Sequence, residues 1–351
     1  MGRLLRGING MARGTANLIL RAANGALLKP QWLWFEAIDR CNSRCMQCNI
    51  WHKKPAKNLL IPQEIKKAFS DPIFKNVKVI INAGGEPALR DDLEEIVMAE
   101  HEAIPKAKIM IGTNALLPER IVGVVKSAIK NKIDILTGIS LDGIGEDHDD
   151  VRGVKGNFKK AEWLLNELSA LGQTHQNGFP CIGFTLIDRT LPHMEAVRSY
   201  AEKMKVSFLI QWYNQSPYYN NEEKDLVKDK ASMVEAVRRY PPSLLNETGI
   251  RWLESKSIKF RCFAMNMFCM VHCNGDISPC LGHWNITAGN IRKNSPTEIW
   301  QSDEAKKIRR NVRACKGCLN SCGVMWSADA SFYPLLKFWL KQKMERLKGR
   351  S

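Results

Sequence analysis

Cys41, Cys45 and Cys48 lie close together in Cys41-Asn-Ser-Arg-Cys45-Met-Gln-Cys48, directly behind the apolar run Trp32-Leu-Trp-Phe-Glu-Ala-Ile38. Three thiolates leaving a buried strand can hold three corners of a [4Fe–4S] cube. Such cubes are ordinarily held by four cysteines, so a set of three leaves one iron open to a small molecule. Cysteines at short spacing also bind zinc, and the spacing alone leaves both readings open. A second chemical segment is Ile80-Ile-Asn-Ala-Gly-Gly-Glu-Pro87, which follows a β-branched run and precedes a helical pattern. Paired glycines at a strand end admit a close approach to the backbone, and Glu86 can accept hydrogen bonds from an ammonium group.

Together these segments resemble the radical S-adenosylmethionine (radical SAM) superfamily, whose signature is Cys-x3-Cys-x2-Cys after the first strand and Gly-Gly-Glu-Pro after the second. A zinc knuckle does not account for Gly84, Gly85, Glu86 and Pro87. Ile139-Ser-Leu-Asp-Gly143 followed by Arg152-Gly-Val-Lys-Gly156 extends the resemblance. It implies that Ser140 and Arg152 hold the SAM carboxylate, with Asp142 in the same segment; a guanidinium fork suits that partner. Thr113-Asn114 stands where the family often has Thr-Asn-Gly, with Ala115 in place of the Gly. Gln47 stands where the family usually has an aromatic residue, and Trp51 reads either as a substitute surface near adenine or as a packed rim residue. The resemblance implies an open-iron cluster on Cys41, Cys45 and Cys48. SAM binds it, and one-electron cleavage gives a 5′-deoxyadenosyl radical that abstracts hydrogen from a substrate.

The elements that must position these groups alternate. Apolar runs near 33–38, 77–82, 108–112, 134–141, 181–187 and 206–211 read as strands. Amphipathic patterns near 62–70, 91–101, 118–130, 157–171 and 193–204 read as helices. Ala161, Leu164, Leu165, Leu168 and Leu171 give the spacing of one buried helix face. Short buried strands alternating with helices imply an α/β fold with a parallel sheet, and six such units fit the partial (β/α)6 TIM-like barrel that the resemblance implies. Cys41, Gly84, Thr113 and Ser140 all fall at carboxyl ends of strands, the face where parallel barrels carry their sites.

Behind residue 211 the rhythm breaks. Residues 212–221 are aromatic and amide-rich, as in a substrate loop or linker, and residues 222–254 are helical and charged around Pro241-Pro242. Phe268-Cys-Met-Val-His-Cys273, Asn274-Gly275 and Asp276-Ile-Ser-Pro-Cys280 read as a β-hairpin with an Asn-Gly turn. This segment resembles the auxiliary-cluster extension called SPASM or twitch. The resemblance implies a second [4Fe–4S] cluster on Cys262, Cys280, Cys315 and Cys318. Cys269, Cys273 and Cys322 are candidates for a further metal site or for free thiols; Cys269 and Cys273, four apart on one strand, are expected to share a face. The expected layout is a basic amphipathic segment over 1–30, the barrel over 31–225, a helical linker over 226–254, the cysteine-rich hairpin and helix extension over 255–325, and a basic amphipathic helix over 326–351. Cys181 reads as a small core residue, with hydrogen-atom donation the sharper alternative. His52, His148 and His283 read as supporting residues.

The formal net charge is +16. Residues 1–30 carry Arg3, Arg6, Arg13, Arg21 and Lys29 with no acid; residues 331–351 carry six bases against Glu345. Both segments interleave apolar residues, a pattern that fits an anionic membrane surface, with an ordinary helix packed on the barrel the near alternative and nucleic acid the weaker one. Every motif residue lies between 41 and 322, so both tails are expected to be separable from the chemistry. No apolar run long enough to span a bilayer occurs. Eleven cysteines in tight local groups fit the reducing cytoplasm rather than a disulfide framework, with peripheral placement on the inner membrane surface as an extension. Expected partners are a small-molecule, glycan or peptide substrate and an electron donor such as flavodoxin or ferredoxin. The resemblance implies modification of peptides or oxidation of sugars and alcohols, and without an evident peptide-recognition domain the expectation leans toward oxidation or epimerisation of a carbohydrate or lipid-linked carbohydrate. A peptide maturase and a non-catalytic iron–sulfur protein are the alternatives.

Overall fold

The computed structural model describes residues 2–22, 28–175, 177–256, 258 and 260–348, the side chains of 2–9 and 345–348 excepted. The chain opens with helix α1 (Gly2–Ala22) and then alternates. The order is β1 (Trp32–Ile38), α2 (Pro62–Phe69), β2 (Val79–Gly84), α3 (Leu93–Ala103), β3 (Lys108–Thr113), α4 (Pro118–Lys130), β4 (Ile135–Ser140), α5 (Glu146–Arg152), α6 (Asn157–His175), β5 (Pro180–Leu186), α7 (Met194–Lys203) and β6 (Ser207–Trp212). These strands are parallel, in spatial order β6-β5-β4-β3-β2-β1, which is the expected α/β partial barrel. Helices α8 (Lys230–Arg238) and α9 (Leu244–Ser255), anticipated as a linker, pack on it. Met233, Val234, Val237 and Leu253 join the barrel core, and a Cβ on Gly249 would stand 1.8 Å from the Trp212 ring.

The extension consists of β7 (Phe268–Val271), β8 (Asp276–Ser278), β9 (Gly289–Asn290), α10 (Pro296–Gln301), α11 (Asp303–Ala314), α12 (Ser321–Ser331) and α13 (Tyr333–Lys348). The Asn-Gly hairpin forms as expected, with Gly275 at φ +94°. Its pairing with the barrel was not foreseen. β7 lies parallel beside β1, with Leu33 opposite Cys269 and Phe35 opposite Val271, so among the described residues one nine-stranded sheet runs through both parts. β7 ends at Val271 because the chain turns over 272–275. Cys273 therefore lies off the strand, and the alternation that predicted a shared face with Cys269 does not reach it.

The tails are less separable than the motif positions suggest. On α1, Asn17 Nδ2 donates to the Ala330 carbonyl at 2.7 Å and Arg21 Nε to the Cys262 carbonyl at 2.7 Å. A Cβ on Gly10 or Gly14 would stand 2.4 Å from Phe332 or 2.2 Å from the Ser331 carbonyl. Small residues thus let α1 lie against α12 and its C-terminal end. The sequence reading of Arg3, Leu4, Leu5, Arg6, Ile8, Arg346, Lys348 and Arg350 side chains falls outside the described residues.

Glu100 on α3 is fully buried and accepts from Asn82 Nδ2 at 2.7 Å. Burial raises its pKa to about 8. The unfolded chain ionises this group near the usual carboxylate value while the folded chain keeps its proton. Stability therefore falls as pH rises through that window, by up to about 1.4 kcal/mol per pH unit. Glu100→Gln is expected to raise the thermal midpoint relative to the parent at pH 8 and not at pH 4. A midpoint difference independent of pH counts against a neutral Glu100.

Candidate active site

The three-cysteine loop leaves β1 and is anchored on the end of α5. Arg44 N–H donates to the Arg152 carbonyl at 3.0 Å and Met46 N–H to the Val151 carbonyl at 2.9 Å. Carbonyls at a helix end lack intrahelical partners, and here the loop satisfies them. Gly153 is left-handed at φ +66°, and a Cβ there would stand 2.5 Å from the Arg44 carbonyl. The Arg-Gly pair therefore places a guanidinium and clears space for the loop in one turn.

The glycine pair acts similarly. Gly84 sits at φ +125°, and Cβ atoms on Gly84 and Gly85 would stand 2.1 Å from the Ile38 carbonyl and 1.8 Å from the Arg40 carbonyl. Gly85 and Glu86 N–H groups donate to those same two carbonyls, each at 2.8 Å. The close approach that the glycines admit is made by the chain entering the cysteine loop. Glu86 itself is buried. It accepts from Thr113 Oγ1 at 2.8 Å, Ala88 N–H at 3.0 Å and Asn114 N–H at 2.7 Å. Burial raises its pKa to about 7 against those three donors. Pro87 is buried behind it and opens a short turn.

Donors converge on the thiols. Ser43 N–H faces Cys41 Sγ at 3.4 Å, Ser43 Oγ lies 3.1 Å from Cys45 Sγ, Asn114 Nδ2 points to Cys41 Sγ at 3.6 Å, and Arg152 Nη1 to Cys45 Sγ at 3.7 Å. Without a metal, burial pushes Cys41 up to about 12 and Cys48 to about 11. These donors favour sulfur carrying negative charge, as on coordination to iron. Zinc asks for ligands gathered about one point at about 2.3 Å; among the described residues no three His, Cys, Asp or Glu side chains are grouped to share a single ion. A cube, wider and taking one thiolate per corner, suits the donor set better.

Arg152 Nη2 pairs with Asp142 at 2.7 Å, both side chains being buried. Asp142 also accepts from Gln47 Nε2 at 2.9 Å and Thr185 N–H at 2.7 Å. Burial works against the Arg152 charge, but Asp142 and Cys45 raise its pKa overall. Its Nε remains buried without a partner. Asp142 thus stands behind the cavity and orients Arg152. His148 is neutral, its pKa pushed down to about 4 by burial and by Arg152; its Nδ1 accepts from Asp142 N–H at 3.1 Å.

A cavity of about 310 Å³ is lined on one side by Cys41, Cys45, Cys48, Gly84, Gly85, Glu86, Thr113, Asn114, Ser140 and Arg152. Cys269, Cys280 and Cys322 line its other side. Between them stand Gln47, Thr185, Gln211, Trp212, Tyr213 and Asn214. The sequence marked the 212–221 loop but missed Met110, Thr185 and Gln211. A usable signal existed: Met110 and Gly112, Gly138 and Ser140, Gly183 and Thr185 are alternate residues of neighbouring strands, so each pair shares one face. Trp51 does not line the cavity. Its ring lies against His52, tilted by 31° with centroids 3.5 Å apart, in the short turn at 50–52; Tyr213 and Tyr219 are among the cavity's aromatic surfaces. Cys181 faces Gly138 near the start of β5 and is likewise outside the lining.

Cys262, Cys280, Cys315 and Cys318 share one neighbourhood. After burial, Cys262 and Cys318 are what raises Cys280, while burial and then Cys262 and Cys315 bring Cys318 to about 12. His283 hydrogen-bonds Cys315 and lowers its pKa. Cys269 is buried in the core beside β1, and Cys273 lies against Glu36, whose carboxylate accepts its N–H at 3.4 Å.

The family model of the radical SAM superfamily matches residues 35–196, and that of an iron–sulfur cluster-binding domain, SPASM, matches residues 262–320. An AdoMet-dependent heme synthase of Methanosarcina barkeri is 25% identical over 326 residues, covering 84% of this chain and 88% of that one. A probable GTP 3′,8-cyclase of Methanococcus maripaludis is 25% identical over 193 residues, covering 54% and 61%. The structure of Streptococcus suis SuiB bound to its precursor peptide SuiA superposes with a TM-score of 0.64 at 17% identity, covering 86% of this chain and 70% of that one. Among the described residues no helix is long and apolar enough to cross a membrane. The chain thus carries a radical SAM domain with a SPASM domain behind it, and its cofactors are S-adenosylmethionine and [4Fe–4S] clusters.

Proposed function

We propose that the enzyme oxidises or epimerises an uncharged, hydroxyl-rich substrate of carbohydrate type. The observation that carries this reading is the lining of the cavity. Its charged side chains are Glu86, held by three protein donors, and Arg152, paired with Asp142 and assigned below to the SAM carboxylate. The remaining polar groups are amides and hydroxyls, among them Gln47 Oε1 and Asn214 Nδ2, which are buried without partners. Heme and GTP are multiply anionic, and a site for either needs cations that this lining does not offer. Amides beside Trp212, Tyr213 and Trp34 suit hydroxyl groups on an apolar ring face.

In this reading Cys41, Cys45 and Cys48 hold the SAM-binding cluster, and Cys262, Cys280, Cys315 and Cys318 hold the auxiliary one. Arg152 Nε and Ser140 receive the SAM carboxylate, and Gly84, Gly85, Glu86, Thr113 and Asn114 form the wall beside its methionine part. When bound, these groups supply an electron that splits the sulfonium into methionine and a 5′-deoxyadenosyl radical, and an acceptor for the electron left on the substrate. The protein's part is orientation and the exclusion of water. Gln211 and Asn214 orient substrate hydroxyls; Tyr213 and Tyr219 shield the reacting end. An external flavodoxin or ferredoxin supplies the electron.

The test is anaerobic turnover with SAM and dithionite against neutral glycosides, peptides, GTP and iron coproporphyrin. Formation of 5′-deoxyadenosine is expected to rise with a neutral glycoside, with a product changed at a hydroxyl-bearing carbon. Stimulation confined to peptides supports a maturase instead. Absence of SAM cleavage under all conditions leaves a non-catalytic iron–sulfur protein.

A further inference from the structure

The exposed faces of α1 and α13 are not absorbed by this chemistry. On α13, Tyr333, Lys337, Leu340, Lys341 and Met344 fall at spacings of four, seven, eight and eleven and are all exposed, so they form one stripe along the helix. Trp339, 56% exposed, lies about 100° further round the helix, with Lys343 over its ring at 5.5 Å. On α1, Met11, Thr15 and Ile19 form a second exposed stripe, with Ile19 63% exposed. The two meet where Thr15 Oγ1 touches Tyr333 Oη at 2.5 Å.

Each helix already uses its other side. α1 is clamped to α12 through Gly10, Gly14 and Asn17. The outward faces are therefore left over after packing, and they are apolar and basic together. The acids in contact with the platform are Asp329, 3.7 Å from Arg13, and Glu247, 2.9 Å from Lys341. Large apolar side chains interleaved with lysines, with Trp and Tyr among them, match an anionic bilayer surface: the lysines meet phosphates while the aromatics enter the headgroup layer. Nucleic acid would call on the lysines but not on Leu340, Met344, Met11 and Ile19.

We infer that the α1–α13 face docks on an anionic phospholipid surface. α12 links this face to the cavity, since it carries Trp326 into the lining on its other side. Docking would hold the cavity near the bilayer whatever its substrate, and the inference does not depend on the carbohydrate reading.

The experiment uses the full chain, anaerobically reconstituted, in sedimentation with phosphatidylcholine vesicles with and without phosphatidylserine. Binding is expected only with phosphatidylserine and is expected to weaken as salt rises. Leu340→Glu with Met344→Glu is expected to lower vesicle affinity by roughly ten-fold or more, and Lys337→Ala by roughly five-fold, with iron content and SAM cleavage unchanged. Wild type that stays in the supernatant at low salt overturns the inference, as does equal binding to neutral vesicles. Wild type that binds single-stranded RNA but not the vesicles also overturns it, in favour of nucleic acid.

Discussion

Replacing Cys41, Cys45 and Cys48 together with Ala is expected to lower iron from about eight to about four atoms per chain and to abolish SAM cleavage. The two cysteine groups are held by different parts of the chain. The first hangs on β1 and the end of α5; the second lies between the hairpin and the start of α12. Neither needs the other's thiols to place its backbone, because the cysteine loop is fixed by main-chain bonds from Arg44 and Met46 to α5. Losing the first cluster should therefore spare the second. The reciprocal change, Cys315 and Cys318→Ala, is expected to remove the other half of the iron and leave uncoupled SAM cleavage measurable. Iron assay and anaerobic absorbance check both. Stoichiometric zinc with negligible iron in the anaerobically isolated parent rejects the cluster assignment, and complete iron loss in either variant rejects the independence of the two sites.

Arg152→Ala is expected to damage two properties that can be separated. With the guanidinium gone, Asp142 keeps a buried charge supported only by Gln47 and the Thr185 N–H. Breaking a buried pair from one side costs about 3–5 kcal/mol, which a denaturation midpoint reads. The same change removes the donor assigned to the SAM carboxylate. Losing a charge-assisted hydrogen bond costs about 1.5–3 kcal/mol, or roughly ten- to a hundred-fold in affinity. Arg152→Met combined with Asp142→Asn removes both charges together and is expected to recover most of the stability while SAM affinity stays low. Recovery of SAM affinity along with stability would make Arg152 a purely structural residue. Arg152→Ala with unchanged SAM affinity would reject its assignment outright.

The cysteine triplet, the Gly-Gly-Glu-Pro segment, the strand and helix alternation and the Asn-Gly hairpin were all readable from the chain itself. Each rests on interactions within a few residues: thiol spacing, the period of buried side chains, the torsion that Gly275 adopts. The barrel helices fall within a few residues of their expected limits for the same reason.

What tertiary structure decided concerns partners far apart in sequence. Gly84 and Gly85 look like space for a ligand until Ile38 and Arg40 are seen to occupy it. Asp142 looks like part of a cofactor wall until Arg152, Gln47 and Thr185 are found around it. The basic segment over 1–30 reads equally as a membrane anchor or as a packed helix until Arg21 is seen to bond the carbonyl of Cys262. β7 carries no local mark of which edge it will join; it pairs with β1 because an open parallel sheet leaves unpaired N–H and C=O groups there that must be satisfied. That single pairing brings Cys280 and Cys322 to the cavity that Cys41, Cys45 and Cys48 enter from the other side. Local spacing therefore determined which groups could bind iron, and long-range backbone pairing determined that Cys280 lines the same cavity as Cys41, Cys45 and Cys48.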